Sequence, residues 1–135
     1  MTLAPQHDRR THPTDVTRIE RVWESKLTRA AASGGKLFDQ SKFRLHAIKW
    51  TGGATRGPPI VDVCLGLTSY KEYVGTNLIG DDERRVLEAD GTTSHADPCA
   101  HLSNALGCET ILLTSDEQVV LLRRSSAVST GTGLY

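Results

Sequence analysis

An apolar stripe at helical spacing follows a polar N-terminal segment. Between residues 15 and 32 the apolar positions are spaced by 3, 4, 4 and 3, which places them on one face of a helix. Thr14 or Asp15 can cap its start, and Ser33-Gly34-Gly35 is a typical C-terminal stop. The pattern predicts a helix with this stripe in the core: Val16, Ile19, Trp23, Leu27 and Ala30. We expect residues 1–13, which are polar and contain two prolines, to form a loose arm.

Strict alternation follows from residue 42. Phe43, Leu45 and Ala47 alternate with Lys42, Arg44 and His46, which predicts a half-buried strand. A glycine- and proline-rich turn at 52–59 leads into a second strand over 60–67. We expect an antiparallel hairpin with these positions inward on its second strand: Val61, Val63, Leu65 and Leu67.

The remaining patterns are shorter. They predict a helical turn over 69–74, a surface helix over 81–89 and a helix that begins at Asp97-Pro98 and ends before Gly107. Two β-rich segments, 110–114 and 118–124, flank a tight turn and predict a second hairpin. The mixture of helices and hairpins gives the fold class α+β.

Composition excludes several function classes. The 135-residue chain has 16 basic and 16 acidic residues, so no net charge favours a nucleic-acid partner. No apolar run approaches the ~20 residues that a membrane span requires. The charged N-terminal segment does not have the form of a signal peptide, and three cysteines are an odd number. We therefore expect an intracellular protein with reduced thiols and no membrane partner; the oligomeric state is left open.

Few residues form a catalytic or metal-binding pattern. The carboxylates are scattered, whereas a hard cation needs several on one face. A set of cysteines and histidines allows a zinc site, although its spacing matches no common knuckle and a capped helix is the alternative: His95, Cys99, His101 and Cys108. No nucleophile lies beside a histidine and an acid, so no catalytic residue is assigned.

Ligand contacts are easier to suggest. Phe38 and Tyr70 lie beside predicted strands, where an aromatic ring can either close the core or stack on a nucleobase. Arg124 could bind a diphosphate, although a solvated strand end is the alternative. Ser129 begins a glycine-containing loop whose backbone amides could face phosphate oxygens.

Four segments then carry a resemblance. They read KLFDQSKFRLHAIKW at 36–50, GLTSYKEYVGTN at 66–77, HADP at 95–98 and VVLLRRS at 119–125. In this order they resemble the UDP-glucose pyrophosphatases of animals, a branch of the Nudix hydrolases. The resemblance implies Mg²⁺-dependent hydrolysis of UDP-glucose and UDP-galactose to UMP and sugar 1-phosphate. It also implies an N-terminal extension at 1–95, followed at 96–135 by the first elements of a Nudix α/β/α sandwich.

The resemblance also assigns a UDP-sugar site. The family's LFD, GLTSY and LRRS motifs fall on Phe38, Tyr70 and Arg124, with Ser129 in the following loop. Nothing in the chain matches the Nudix box, whose glutamates hold the metal, so no metal ligand is assigned. The sequence therefore predicts a fragment or isoform that is inactive and marginally folded by itself, with part of the substrate pocket. The alternative is a non-catalytic α+β module that binds a nucleotide or a protein.

Overall fold

A long β-hairpin is the largest element of the sheet. The computed structural model describes residues 1–51, 58–107 and 112–120. The strands are β1 (Thr2–Leu3), β2 (Ser41–Thr51), β3 (Ile60–Ser69), β4 (Leu112–Leu113) and β5 (Val119–Val120). The helices are α1 (Asp15–Ala32), α2 (Tyr70–Thr76) and α3 (Asp81–His95), with a 3-10 turn at Pro5–His7. Helices and mainly antiparallel strands together confirm the predicted α+β class.

The chain divides into two compact units. The first comprises Met1–Trp23 and Asp39–Leu106 and contains the sheet with strand order β1-β3-β2. The second comprises Glu24–Phe38 and Gly107–Tyr135, and its described residues include the end of α1 and the β4–β5 hairpin. The division into an extension at 1–95 and a Nudix portion at 96–135 stays a prediction.

The central hairpin is confirmed, but its faces differ from those predicted. β2 and β3 pair antiparallel from Ser41↔Ser69 to Thr51↔Ile60, with an irregularity between Leu45 and Ala47. Arg44, on the polar face of the predicted strand, is 1% exposed, whereas Phe43, on its apolar face, is 49% exposed. The reason is that polar backbone covers the Arg44 face and its carbonyl groups satisfy the guanidinium.

The second strand of the hairpin also departs from the predicted pattern. Leu65 is buried as predicted, but Val61 and Leu67 are exposed. Cys64 and Leu65 form the stretch of β3 that pairs with β1 on one side and β2 on the other. Burial is therefore concentrated in this three-stranded middle of the sheet rather than spread along the whole strand.

The N-terminal arm is ordered on the sheet, contrary to the expectation of a loose arm. Thr2 and Leu3 pair in parallel with Cys64 and Leu65. The backbone then crosses Gly66 so closely that a Cβ atom there would lie 2.3 Å from the carbonyl oxygen of His7. Only glycine accommodates this approach, because any larger side chain would displace backbone atoms.

Helix α1 begins and ends as predicted, but its buried face is different. Val16 is 76% exposed, while Asp15, Arg18, Ile19 and Trp23 are buried. The helix stops at Ala32, where Gly34 adopts φ +72° and the amide of Gly35 donates to the carbonyl of Ala30 at 2.9 Å. A buried polar pair therefore replaces one end of the expected apolar stripe.

The segment after the hairpin is partly as expected. The predicted helical turn is α2, but the surface helix continues past Ala89 to His95. The prediction of a helix that begins at Asp97 is wrong. The chain there forms two turns, in which the amides of Ala100 and Leu102 donate to the carbonyls of Asp97 and Cys99. The carboxylate of Asp97 accepts from the amide of Cys99 at 2.8 Å, so this side chain stabilises a turn and not a helix start.

Other predictions are tested only in part. β4 pairs antiparallel with β5, as predicted for the second hairpin. Arg124, Ser129, Cys108 and the turn at 52–57 lie outside the described residues. None of the helices in the described ranges has the length and apolar character of a transmembrane segment.

Candidate functional site

Tyr70 lies in a cluster of aromatic rings in the first unit. Its ring meets Trp23 edge-on with 6.1 Å between centroids, and Tyr73 lies at 6.4 Å. The ammonium group of Lys42 stands 5.8 Å from the centre of the Tyr70 ring, a cation–π distance. The Tyr70 side chain is only partly exposed. This position suits a ring that could offer one face to a planar ligand.

Of the four predicted ligand contacts, the structure describes Phe38 and Tyr70. Phe38 belongs to the second unit, and its side chain is 64% exposed, which fits a ligand contact better than a core residue. Arg124 and Ser129 lie outside the described residues. The roles of all four residues stay predictions, and only the surroundings of Tyr70 can be described in detail.

The first turn of α2 fixes the backbone of Tyr70. Ser69 caps the helix and forms a capping box with Glu72: the Ser69 hydroxyl accepts from the Glu72 amide at 3.2 Å, and the Glu72 carboxylate accepts from the Ser69 amide at 3.1 Å. The amide of Tyr70 donates to the carbonyl of Gln40 at 2.9 Å. Lys71 likewise donates its amide to the carboxylate of Asp39 at 2.9 Å. The segment before β2 therefore holds the turn that carries Tyr70.

An ion-pair network with buried members joins this turn to the arm and to α1. Arg9 donates through Nε to Glu72 at 2.8 Å and through Nη1 to Asp15 at 2.5 Å. Arg18 also pairs with Asp15, and its Nε donates to the carbonyl of Gly75 at 3.1 Å. Arg9, Asp15, Glu72 and Arg18 thus connect the arm, α1 and α2 through charged groups.

The network shifts the titration of its members. Burial alone would raise the pKa of Asp15, but hydrogen bonds from Arg9 and from the amide of His12 lower it below its usual value. Burial similarly opposes the charged form of Arg9, yet Asp15 and Glu72 raise its pKa. Both side chains are therefore ionised partners in the folded protein. The positions of the network residues in the sequence do not reveal that they pair. The one local hint is that Asp15 precedes Arg18 by one helical turn.

A polar cleft lies beside the buried guanidinium of Arg44. Its volume is about 170 Å³. Its lining residues are Gln6, Asp8, Arg10, Arg44, His46, His95, Asp97 and Ala100. Arg44 donates to the carbonyls of Leu102 at 3.0 Å, His7 at 2.8 Å and Cys99 at 2.7 Å. Burial lowers the pKa of Arg44. These hydrogen bonds compensate for burying the charge, and they join three backbone segments to β2.

His101 is buried between two acceptors. Its Nδ1 lies 2.9 Å from the carbonyl oxygen of Arg10, and its Nε2 lies 2.8 Å from the carboxylate of Asp90. Neither partner has a hydrogen to give when Asp90 is ionised, so making both bonds at once requires a hydrogen on each ring nitrogen. The hydrogen bond from His101 holds the pKa of Asp90 below its usual value. His101 therefore ties the arm to α3.

The described residues do not fit a metal centre. No group of three or more histidine, cysteine or acidic side chains in ranges 1–51, 58–107 and 112–120 is placed to hold a metal ion. Asp15 and Glu72 come close through Arg9, but arginines already occupy both carboxylates. The zinc alternative includes Cys108, which lies outside the described residues, and both nitrogens of His101 are bonded to other groups.

Comparison with known proteins supports the resemblance read from the sequence. No family model matches the chain. The uridine diphosphate glucose pyrophosphatase of Homo sapiens is 38% identical over 132 residues, which cover 98% of this chain and 41% of the relative. Its counterpart in Mus musculus is 36% identical over 98% of the chain and 40% of the relative. A Nudix hydrolase of Arabidopsis thaliana is 33% identical, with 98% and 42% covered.

The extent of these matches defines what the chain is similar to. The alignment spans nearly all of this chain but about two fifths of the length of the curated relatives. The predicted resemblance is confirmed at identities of 33% to 38%. The chain is therefore similar to the uridine diphosphate glucose pyrophosphatases and to this Nudix hydrolase over about two fifths of their length.

Proposed function

We propose that the chain is part of a Mg²⁺-dependent UDP-sugar diphosphatase that hydrolyses UDP-glucose and UDP-galactose to UMP and sugar 1-phosphate. The observation that carries the proposal is the 38% identity to a uridine diphosphate glucose pyrophosphatase along 98% of the chain. Because the match covers 41% of that relative, we assign the activity to a whole protein and not to these residues alone.

In this proposal the chain binds the substrate, and the residues that bind the metal belong to another part of the whole protein. The sequence has no Nudix box, and the described carboxylates do not fit a Mg²⁺ site. We therefore assign the chain a substrate-binding role, in which Phe38 and Tyr70 contact the uridine while Arg124 and Ser129 contact the diphosphate. For Tyr70, support comes from a partly exposed ring that is held by a capped helix and has a cation beside it.

We expect the 135-residue polypeptide alone to release no UMP from UDP-glucose or UDP-galactose in the presence of Mg²⁺. The reason is that several carboxylates on one face are needed to hold the ion that neutralises a diphosphate, and residues 1–51, 58–107 and 112–120 present no such group. Release of UMP above the rate without protein, measured by chromatography of the products, would contradict the assignment of this chain to substrate binding.

Replacing Tyr70 with alanine is expected to weaken uridine binding by about tenfold. Stacking of a base on an aromatic ring contributes ~1–3 kcal/mol, and ~1.4 kcal/mol corresponds to a factor of ten. Isothermal titration with uridine, in the protein as its gene encodes it, measures the effect. Tyr70→Phe is the matched control, since it keeps the ring and should bind uridine as the unmodified protein does. Equal affinity of Tyr70→Ala and Tyr70→Phe would remove Tyr70 from the site.

A further inference from the structure

Lys42 lies beside the ring that we propose for uridine. It is the second residue of β2 and pairs with Thr68 in the ladder, two positions before Tyr70. Its ammonium nitrogen stands 5.8 Å from the centre of the Tyr70 ring, and its side chain is partly buried. A base that stacks on Tyr70 would therefore lie next to a positive charge.

Two other cations of the first unit, Lys71 and Arg9, are neutralised by carboxylates within the part of the chain that the structure describes. Lys71 pairs with Glu20 at 2.5 Å. Arg9 pairs with Glu72 at 2.6 Å and with Asp15 at 2.5 Å. Within residues 1–51, 58–107 and 112–120, Lys42 makes no ion pair. An added anion could therefore neutralise the charge of Lys42 without breaking any ion pair that the described residues form.

We propose that Lys42 binds a phosphate group of the nucleotide whose base stacks on Tyr70. The inference rests on the proposed function, because it needs a nucleotide at Tyr70. A lysine ammonium is a compact point charge with three donors, and charge-assisted bonds to phosphate are stronger than neutral ones. Exchange of a weak cation–π contact for such a bond would favour a charged nucleotide over its nucleoside.

The proposal separates two possible contacts of the ammonium group. If it meets a phosphate, its removal weakens binding of UMP but not of uridine. If it meets a carbonyl oxygen of the base instead, its removal weakens both ligands by the same factor. The affinity ratio of UMP to uridine therefore tests the phosphate contact and is independent of the strength of stacking on Tyr70.

The experiment compares Lys42→Met with Lys49→Met in the protein as its gene encodes it. Lys49 lies on the same strand, is exposed and pairs with Asp62 in the ladder, so its replacement removes the same charge elsewhere. Titration calorimetry gives the dissociation constants of UMP and uridine. We expect Lys42→Met to weaken UMP by about tenfold, as for one charge-assisted contact, and to leave uridine unchanged. We expect Lys49→Met to change neither, and Lys42→Arg to retain most of the UMP affinity.

The outcomes distinguish this inference from the proposed function. Binding of uridine that depends on Tyr70, together with an unchanged UMP-to-uridine ratio in Lys42→Met, overturns the Lys42 inference and leaves the proposed function standing. An equal loss in Lys42→Met and Lys49→Met also overturns it, because the effect would then be general electrostatics. A protein that binds neither uridine nor UMP overturns both.

Discussion

Replacing Asp15 with alanine is expected to lower the free energy of unfolding by about 3–5 kcal/mol. The carboxylate is buried between two arginines, so its removal leaves Arg9 with Glu72 alone and leaves the buried Arg18 without a counter-charge. Breaking one partner of a buried ion pair has a cost of that order. Urea denaturation followed by circular dichroism measures the change, and a variant already unfolded in buffer agrees with the expectation.

Two comparisons make the Asp15 prediction specific. Arg21→Ala removes an exposed pair with Glu83 and should cost less than about 1 kcal/mol. Because the folded pKa of Asp15 is lowered, its contribution is fully present above the unfolded value, ~3.9, and is lost as pH falls through the folded pKa. Asp15→Asn should therefore flatten the acid side of the stability profile. If the free energy of unfolding of Asp15→Asn fell with acid pH as steeply as that of the unmodified protein, the ion pairs of Asp15 would not be the cause of that fall.

Replacing Arg44 with methionine is expected to lower the free energy of unfolding by roughly 2–4 kcal/mol. The substitution keeps an apolar stem of similar length but leaves the buried carbonyls of His7, Cys99 and Leu102 without their donor. Each unsatisfied buried group costs ~1–3 kcal/mol, although relief from burying the charge offsets part of the sum. Chemical denaturation measures the total.

Hydrogen exchange shows where the Arg44 effect acts. The amides of Ala4 and Arg10 donate to the carbonyls of Leu65 and Ala100, and both should exchange faster in Arg44→Met because the arm loses its tie. Arg44→Lys keeps the charge but cannot span three carbonyls, so it should give an intermediate loss. Full stability and unchanged arm protection in Arg44→Met would show that the carbonyls find other donors and that Arg44 is not the tie.

The sequence was sufficient for elements that local rules determine. The bounds of α1 follow from a helix-period stripe and a glycine stop at Gly34, and the hairpin follows from alternation on both sides of a turn. Ser69 and Glu72 form a capping box, the local chemistry that starts a predicted turn. Tyr70 is a candidate site residue because it follows the end of the second predicted strand and falls on the GLTSY motif, and the structure places it among aromatic rings.

The sequence was not sufficient where backbone groups of distant segments decide burial. Alternation places Phe43 and Arg44 on opposite faces of the strand but does not show which face is covered by other segments. The carbonyl groups that accept hydrogen bonds from Arg44 belong to residues far away in the sequence. The arm is predicted to be loose because it is polar and contains two prolines, but contacts with distant residues hold it: Arg9 reaches Glu72, 63 positions away. Polar residues at a predicted loose end can therefore be fixed by partners that periodicity does not reveal.

The pairing of the arm with β3 has a consequence for the order of folding. Thr2 and Leu3 are made about 60 residues before Cys64 and Leu65, with which they pair. At a synthesis rate of ~5–20 residues per second, the arm spends roughly 3–12 s without its partner strand. Helix α1 lies wholly between the two and has its residues complete in that interval. The arm therefore cannot pair with β3 until that strand has been synthesised, and its close passage over Gly66 can form only after that point.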